Sequence, residues 1–113
     1  MSNIVKTAIN RNPALKGVYE RLVAEVKKFG PVTVEEKKTS VHIKAKAGFA
    51  GVHPRKDGLI VQIVTDAPIA DPRVFKTEQV SKNRFHNHIW VGDVAEIDGK
   101  LKEWLKAAYD LMG

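Results

Sequence analysis

The sequence predicts an α+β domain: a mainly antiparallel sheet of four to six strands, with an N-terminal and a C-terminal helix packed on one face. Three observations carry this expectation. Apolar residues recur at three- and four-residue spacing near both ends of the chain, the period of a helix that buries one stripe. Between them, Val41, Ile43 and Ala45 alternate with His42, Lys44 and Lys46, the period-two pattern of a half-buried strand. Two apolar runs are separated by Pro54-Arg55-Lys56-Asp57-Gly58, where Asp-Gly is expected to supply the positive backbone angles of a tight hairpin.

Taken in order, residues 1–11 form a loosely held extension, because Ile4, Val5, Ala8 and Ile9 span too few turns for a stable helix. Residues 12–113 form the domain. Asn12 suits an N-cap and Pro13 a first helical position, and Leu15, Val18, Tyr19, Leu22, Val23, Val26 and Phe29 form the apolar stripe. Gly30-Pro31 ends the helix. Its outer face carries Lys16, Glu20, Arg21, Glu25, Lys27 and Lys28, read as solvated charge. Strands are expected at Val32–Glu35, Val41–Lys46, Ala47–His53 and Leu59–Val64.

Asp66-Ala67-Pro68 and Asp71-Pro72 mark an irregular connection over residues 66–73. Arg73–Val80 is a short strand or extended segment with Phe75 inward. Arg84–Val91 is a strand with Phe85, Ile89 and Val91 on one face, His86, His88 and Trp90 on the other, and Asn87 interrupting the apolar side. The final helix is expected to start at Asp93, with Glu96 completing a capping box, and to bury Val94, Ile97, Leu101, Trp104, Leu105, Ala108 and Leu111. Gly99 would weaken its interior by roughly 1 kcal/mol relative to alanine.

A chain of 113 residues, 43% hydrophobic, supports one core and one domain. It has no cysteine, which excludes disulfides, thiolate catalysis and thiolate zinc sites. No apolar run is long enough for a signal peptide or a membrane helix, so a cytoplasmic protein that does not enter a membrane is expected. The net charge of +6 is uneven. Residues 1–58 carry 12 Lys/Arg against 5 Asp/Glu, whereas residues 59–113 carry 7 against 8. Such asymmetry fits attraction to anionic partners, and its size also serves solubility.

Several stretches together resemble a known family: Lys37-Lys38-Thr39-Ser40-Val41-His42, the run Phe49 to Leu59, Glu78-Gln79-Val80-Ser81 with Arg84-Phe85, and Trp104-Leu105 with Ala108-Tyr109. From about Pro13 to Leu111 the chain resembles the bacterial family called domain of unknown function 5655. The resemblance implies a compact α+β fold and brings no functional residues.

The chemistry must therefore be read from the residues. His86 and His88 project from one strand face about 7 Å apart, which makes two ligands without a third at recognisable spacing, so no metal site is expected. Ser40 with His42 lacks an orienting acid and a nucleophile elbow. The acids offer no paired-carboxylate mechanism. Gly48-Phe49-Ala50-Gly51 lacks the spacing and lysine of a phosphate loop. No catalytic residue or cofactor is assigned. What remains is a basic open sheet face: Lys44 and Lys46, Arg55 and Lys56 at the hairpin tip, and His86, His88 and Trp90, with His42 beside them. Cations next to an aromatic suit nucleic acid or another phosphate-bearing ligand, single-stranded nucleic acid first. The alternative is an interaction module that forms a homodimer, or docks a partner protein, through the same face.

Overall fold

The computed structural model describes residues 13–37, 40–55 and 58–112. Helix α1 (Pro13–Lys27) precedes six strands: β1 (Thr33–Glu36), β2 (Val41–Lys44), β3 (Gly48–Pro54), β4 (Leu59–Thr65), β5 (Val74–Ser81) and β6 (Arg84–Val91). A 3-10 turn (Val94–Glu96) and helix α2 (Gly99–Met112) follow. The strands form a single antiparallel sheet in the order β1-β2-β3-β4-β6-β5. The expected extension over 1–11 and the Asn12 cap lie outside the described residues.

Alternation decides which side of the sheet is core. Val41 and Ile43, Ala50 and Val52, Leu59, Val61 and Ile63, and Ile89 and Val91 share one face and one apolar cluster. Helix α2 packs on β3 and β4 through Leu101, Leu105 and Ala108. Helix α1 lies against α2 and the 3-10 turn, and its buried Leu15, Val18, Leu22 and Val26 join the same cluster.

Helix α1 stops earlier than its apolar stripe suggests. The amides of Lys28 and Phe29 donate to the carbonyls of Glu25 and Val26 at 3.2 and 3.1 Å, a tightened last turn. Gly30 then takes φ 149°, and the Tyr109 hydroxyl lies against its Cα, where a β-carbon would collide.

Glu25 corrects the reading of the outer face as solvated. Its side chain is only 7% exposed, and it meets Lys28 at 3.0 Å, Arg21 at 3.3 Å and Lys102 of α2 at 3.5 Å. The Lys28 hydrogen bond, with the other two cations, holds its carboxyl below the ordinary range. A charge that would be costly to bury alone is thus ringed by partners and ties the two helices together.

Asn87 does more than interrupt an apolar face. It is fully buried and makes four hydrogen bonds. Its Nδ2 donates to the Ile63 carbonyl (3.1 Å) and to Thr65 Oγ1 (2.7 Å), and its Oδ1 accepts from the Ile69 amide (3.0 Å) and Thr77 Oγ1 (3.3 Å). It therefore pins the 66–73 connection to the sheet.

Four further expectations are corrected. Phe75 points outward and is 55% exposed, because the ladder slips between Val74 and Lys76 and leaves Val74 to face the core. Asp93 caps the 3-10 turn instead of the helix, accepting from the Ala95 amide at 2.8 Å, and Val94 is exposed. Asp98 caps α2 through the Leu101 amide at 3.0 Å, so Gly99 is its first residue and carries no interior penalty. Trp104 sits at the edge of the core, half-buried, with the Arg73 guanidinium 5.0 Å and the Lys100 ammonium 5.8 Å from its ring centroid.

Candidate functional site

Helix α2 covers one face of the sheet through β3 and β4, and the residues that alternate with the core line the other. Register places them in rows. His42 of β2 pairs with Gly51 of β3, Gly51 with Gln62 of β4, Gln62 with His88 of β6, and His88 with Lys76 of β5. On one side of this row lie Val64, His86 and Glu78; on the other lie His53, Ile60 and Trp90. All four histidines of the chain thus stand on one face.

They are linked rather than scattered. His53 Nε2 donates to Gln62 Oε1 across a long 3.4 Å, and Gln62 Nε2 donates to His86 Nδ1. His88 Nε2 lies 2.9 Å from Glu78 Oε1. Burial lowers the pKa of both His53 and His86 and favours the neutral ring. The His88 hydrogen bond, then the Lys76 charge, hold Glu78 below its ordinary value.

Two open depressions lie on this face. One, of about 140 Å³, is lined by His42, Gly48, Ala50, Gly51, Gln62, Val64 and His86. The absence of a side chain at Gly51 leaves the floor low beside Gln62. The other, of about 220 Å³, is lined by His53, Arg55, Ile60, Phe75, Lys76 and His88. Phe75 stands tilted against His88, ring centroids 6.1 Å apart.

The residues expected from sequence fall out unevenly. His86, His88 and Trp90 share the open face, as period two requires. Arg55 borders the second depression and donates to the Pro54 carbonyl at 2.9 Å. Lys44 is occupied by Glu35 at 2.7 Å, an interaction that holds that carboxyl low. Lys46 is exposed in the turn after β2, which ends at Lys44, so it does not stand on the strand. Lys56 lies outside the described residues.

The hairpin gives Gly58 a further role. The Arg55 amide donates to the Gly58 carbonyl at 2.8 Å and closes the turn, whose Lys56 and Asp57 lie outside the described residues. Glycine is needed there because the Trp90 indole covers it, and a β-carbon would stand 2.5 Å from Cζ2. Trp90 is consequently braced on one side and 40% exposed on the other.

Lys76, Glu78 and Gln62 were not selected from sequence, and their role becomes visible only once β5, β6 and β4 are aligned. Among the described residues no group of three or more His, Asp or Glu side chains is arranged to hold a metal ion. No described helix is long and apolar enough to cross a membrane.

The family described as Domain of unknown function (DUF5655) matches residues 4–112, nearly the whole chain. The chain belongs to the DUF5655 family. No curated protein and no solved structure matches it. The function of this DUF5655 domain has therefore to be argued from the open face.

Proposed function

We propose that the open face binds phosphate-bearing ligands, with single-stranded nucleic acid as the leading class. The supporting observation is the depression in which Arg55 and Lys76 stand beside Phe75, with Trp90 on the neighbouring row. Guanidinium and ammonium groups attract phosphate, and exposed rings stack bases without demanding a sequence. Lys76, whose pair with Glu78 is long at 3.9 Å, takes the part that Lys44, held by Glu35 at 2.7 Å, does not offer.

Titration of a labelled oligonucleotide at several salt concentrations tests the reading. Arg55→Ala and Lys76→Ala should each flatten the salt slope by about 0.7, the share of one phosphate contact on a single strand. Trp90→Ala should cost about 1–3 kcal/mol and leave the slope nearly unchanged. Lys16→Ala and Lys27→Ala on α1 should do neither. Absence of binding below millimolar concentrations at low salt refutes the proposal.

A second reading, an interaction module that docks another chain through this face, draws on the exposure of Phe75 and Trp90. Light scattering over a concentration series separates the homodimer from a monomer whose face stays free.

A further inference from the structure

Among the described residues, the lining of the Arg55–Lys76 depression contains two imidazoles, two cations and an aromatic ring, and no serine, threonine or cysteine. It holds groups that move protons and groups that stabilise negative charge, but no hydroxyl or thiol nucleophile of its own. A substrate that brings its nucleophile with it fits such a set, and the 2′-hydroxyl is what distinguishes RNA from DNA in this respect. We propose that this depression cleaves single-stranded RNA by internal transfer of the phosphodiester to the neighbouring 2′-oxygen, with His53 as base and His88 as acid. The inference rests on the reading of the face as a phosphate-binding surface.

The two imidazoles are not equivalent. His53 donates through Nε2 to Gln62, whose amide is oriented in turn by donating to His86, so Nδ1 of His53 keeps its lone pair. Burial favours its neutral form and, with the nearby Arg55, His88 and His42, outweighs the opposing effect of the Gln62 hydrogen bond. His88 instead donates through Nε2 to the Glu78 carboxylate at 2.9 Å, which leaves Nδ1 as the nitrogen that can hand on a proton. Lys76 and His86 are the other titratable groups facing the His88–Glu78 pair.

In the step, Nδ1 of His53 takes the proton of the 2′-hydroxyl and the O2′–P bond forms. The P–O5′ bond breaks as His88 passes a proton to O5′. The products are a 2′,3′-cyclic phosphate and a 5′-hydroxyl, and proton exchange with water resets both rings. Arg55 and Lys76 neutralise the charge that builds on the equatorial oxygens. Phe75 offers a stacking surface for the adjoining base.

The test uses a single-stranded RNA oligonucleotide, its all-2′-deoxy counterpart, and a chelator in the buffer. The RNA is expected to yield ends carrying 2′,3′-cyclic phosphate, with a bell-shaped pH–rate profile, and the deoxy strand to bind uncut. His53→Ala and His88→Ala should each lower the cleavage rate about 100-fold or more, a loss far larger than any weakening of deoxy-strand binding, while the far-ultraviolet spectrum is retained. Glu78→Gln, a positioning variant, should lower kcat while leaving KM for the RNA nearly unchanged. Binding of the deoxy strand with no cyclic phosphate from RNA overturns the proposal and leaves the binding reading standing. Cleavage that survives the His53→Ala/His88→Ala double variant also overturns it. Failure of both strands to bind removes the underlying reading, and the cleavage proposal falls with it.

Discussion

Replacing Asn87 by leucine keeps the branched heavy-atom outline of the side chain and removes four hydrogen bonds at once. Two of the abandoned partners recover water. Thr77 is exposed, and Thr65 lies near the sheet end, where its hydroxyl also donates to the Ala67 carbonyl at 2.6 Å. The Ile63 carbonyl and the Ile69 amide do not recover as readily, since Ile63 is fully buried in the core and the Ile69 amide is held against the sheet. An unsatisfied buried group costs about 1–3 kcal/mol. Asn87→Leu should therefore destabilise by roughly 2–4 kcal/mol, with a fall in Tm on the order of 10–15 °C for a domain of this size. Urea unfolding followed by tryptophan fluorescence measures the loss, and hydrogen exchange at the Ile69 amide locates it: protected in the parent, fast in the variant. Thr77→Val, which removes one exposed bond, should cost less than about 1 kcal/mol. A loss under about 1 kcal/mol for Asn87→Leu, or an Ile69 amide that stays protected, would show that the 66–73 connection is held by something else.

Gly58→Ala should force the Trp90 indole off the hairpin, costing about 1–3 kcal/mol and shifting Trp90 emission to the red in a Trp104→Phe background; unchanged emission would contradict the packing. Glu25→Gln should lower stability at neutral pH. Because the folded carboxyl titrates below its unfolded value of about 4.5, its contribution is present above that pH and lost as pH falls through the folded value, so parent and variant should converge in acid. Denaturation midpoints from pH 7 to pH 3 measure that convergence. Trp104→Ala should cost about 2 kcal/mol, less than the roughly 3–5 typical of a fully buried aromatic, since its ring is half covered and capped by Arg73 and Lys100; a larger loss by urea titration would place it deeper in the core.

The two helical stripes and the alternation in β2 and β6 were legible because helix and strand periods are local properties of sequence. His86, His88 and Trp90 could be placed on one face for the same reason. Phe75 could not, since a slipped ladder reverses the outlook of a side chain and depends on how β5 meets β6. The burial of Glu25 depends on Lys102, far along the chain on the other helix, which no local pattern reveals. Gln62 reads as an ordinary polar residue of an apolar strand until β3 and β6 bring His53 and His86 to its two amide ends. Gly58 carried a turn signal, but its further role, making room for Trp90, depends on a residue far along the chain.

The rims of the sheet bear on how anything else meets this domain. An edge strand exposes unpaired backbone groups and invites another chain to extend it, the first step of fibril growth. Here one rim is β1, four residues long with Glu35 and Glu36, too short and too acidic to template a neighbour. The other is β5, eight residues long and almost wholly exposed, but its ladder slips twice, between Val74 and Lys76 and between Gln79 and Ser81, so it presents no straight run of donors and acceptors. Both borders discourage lateral growth, and approach from above, onto the histidine-bearing surface, is left as the open route.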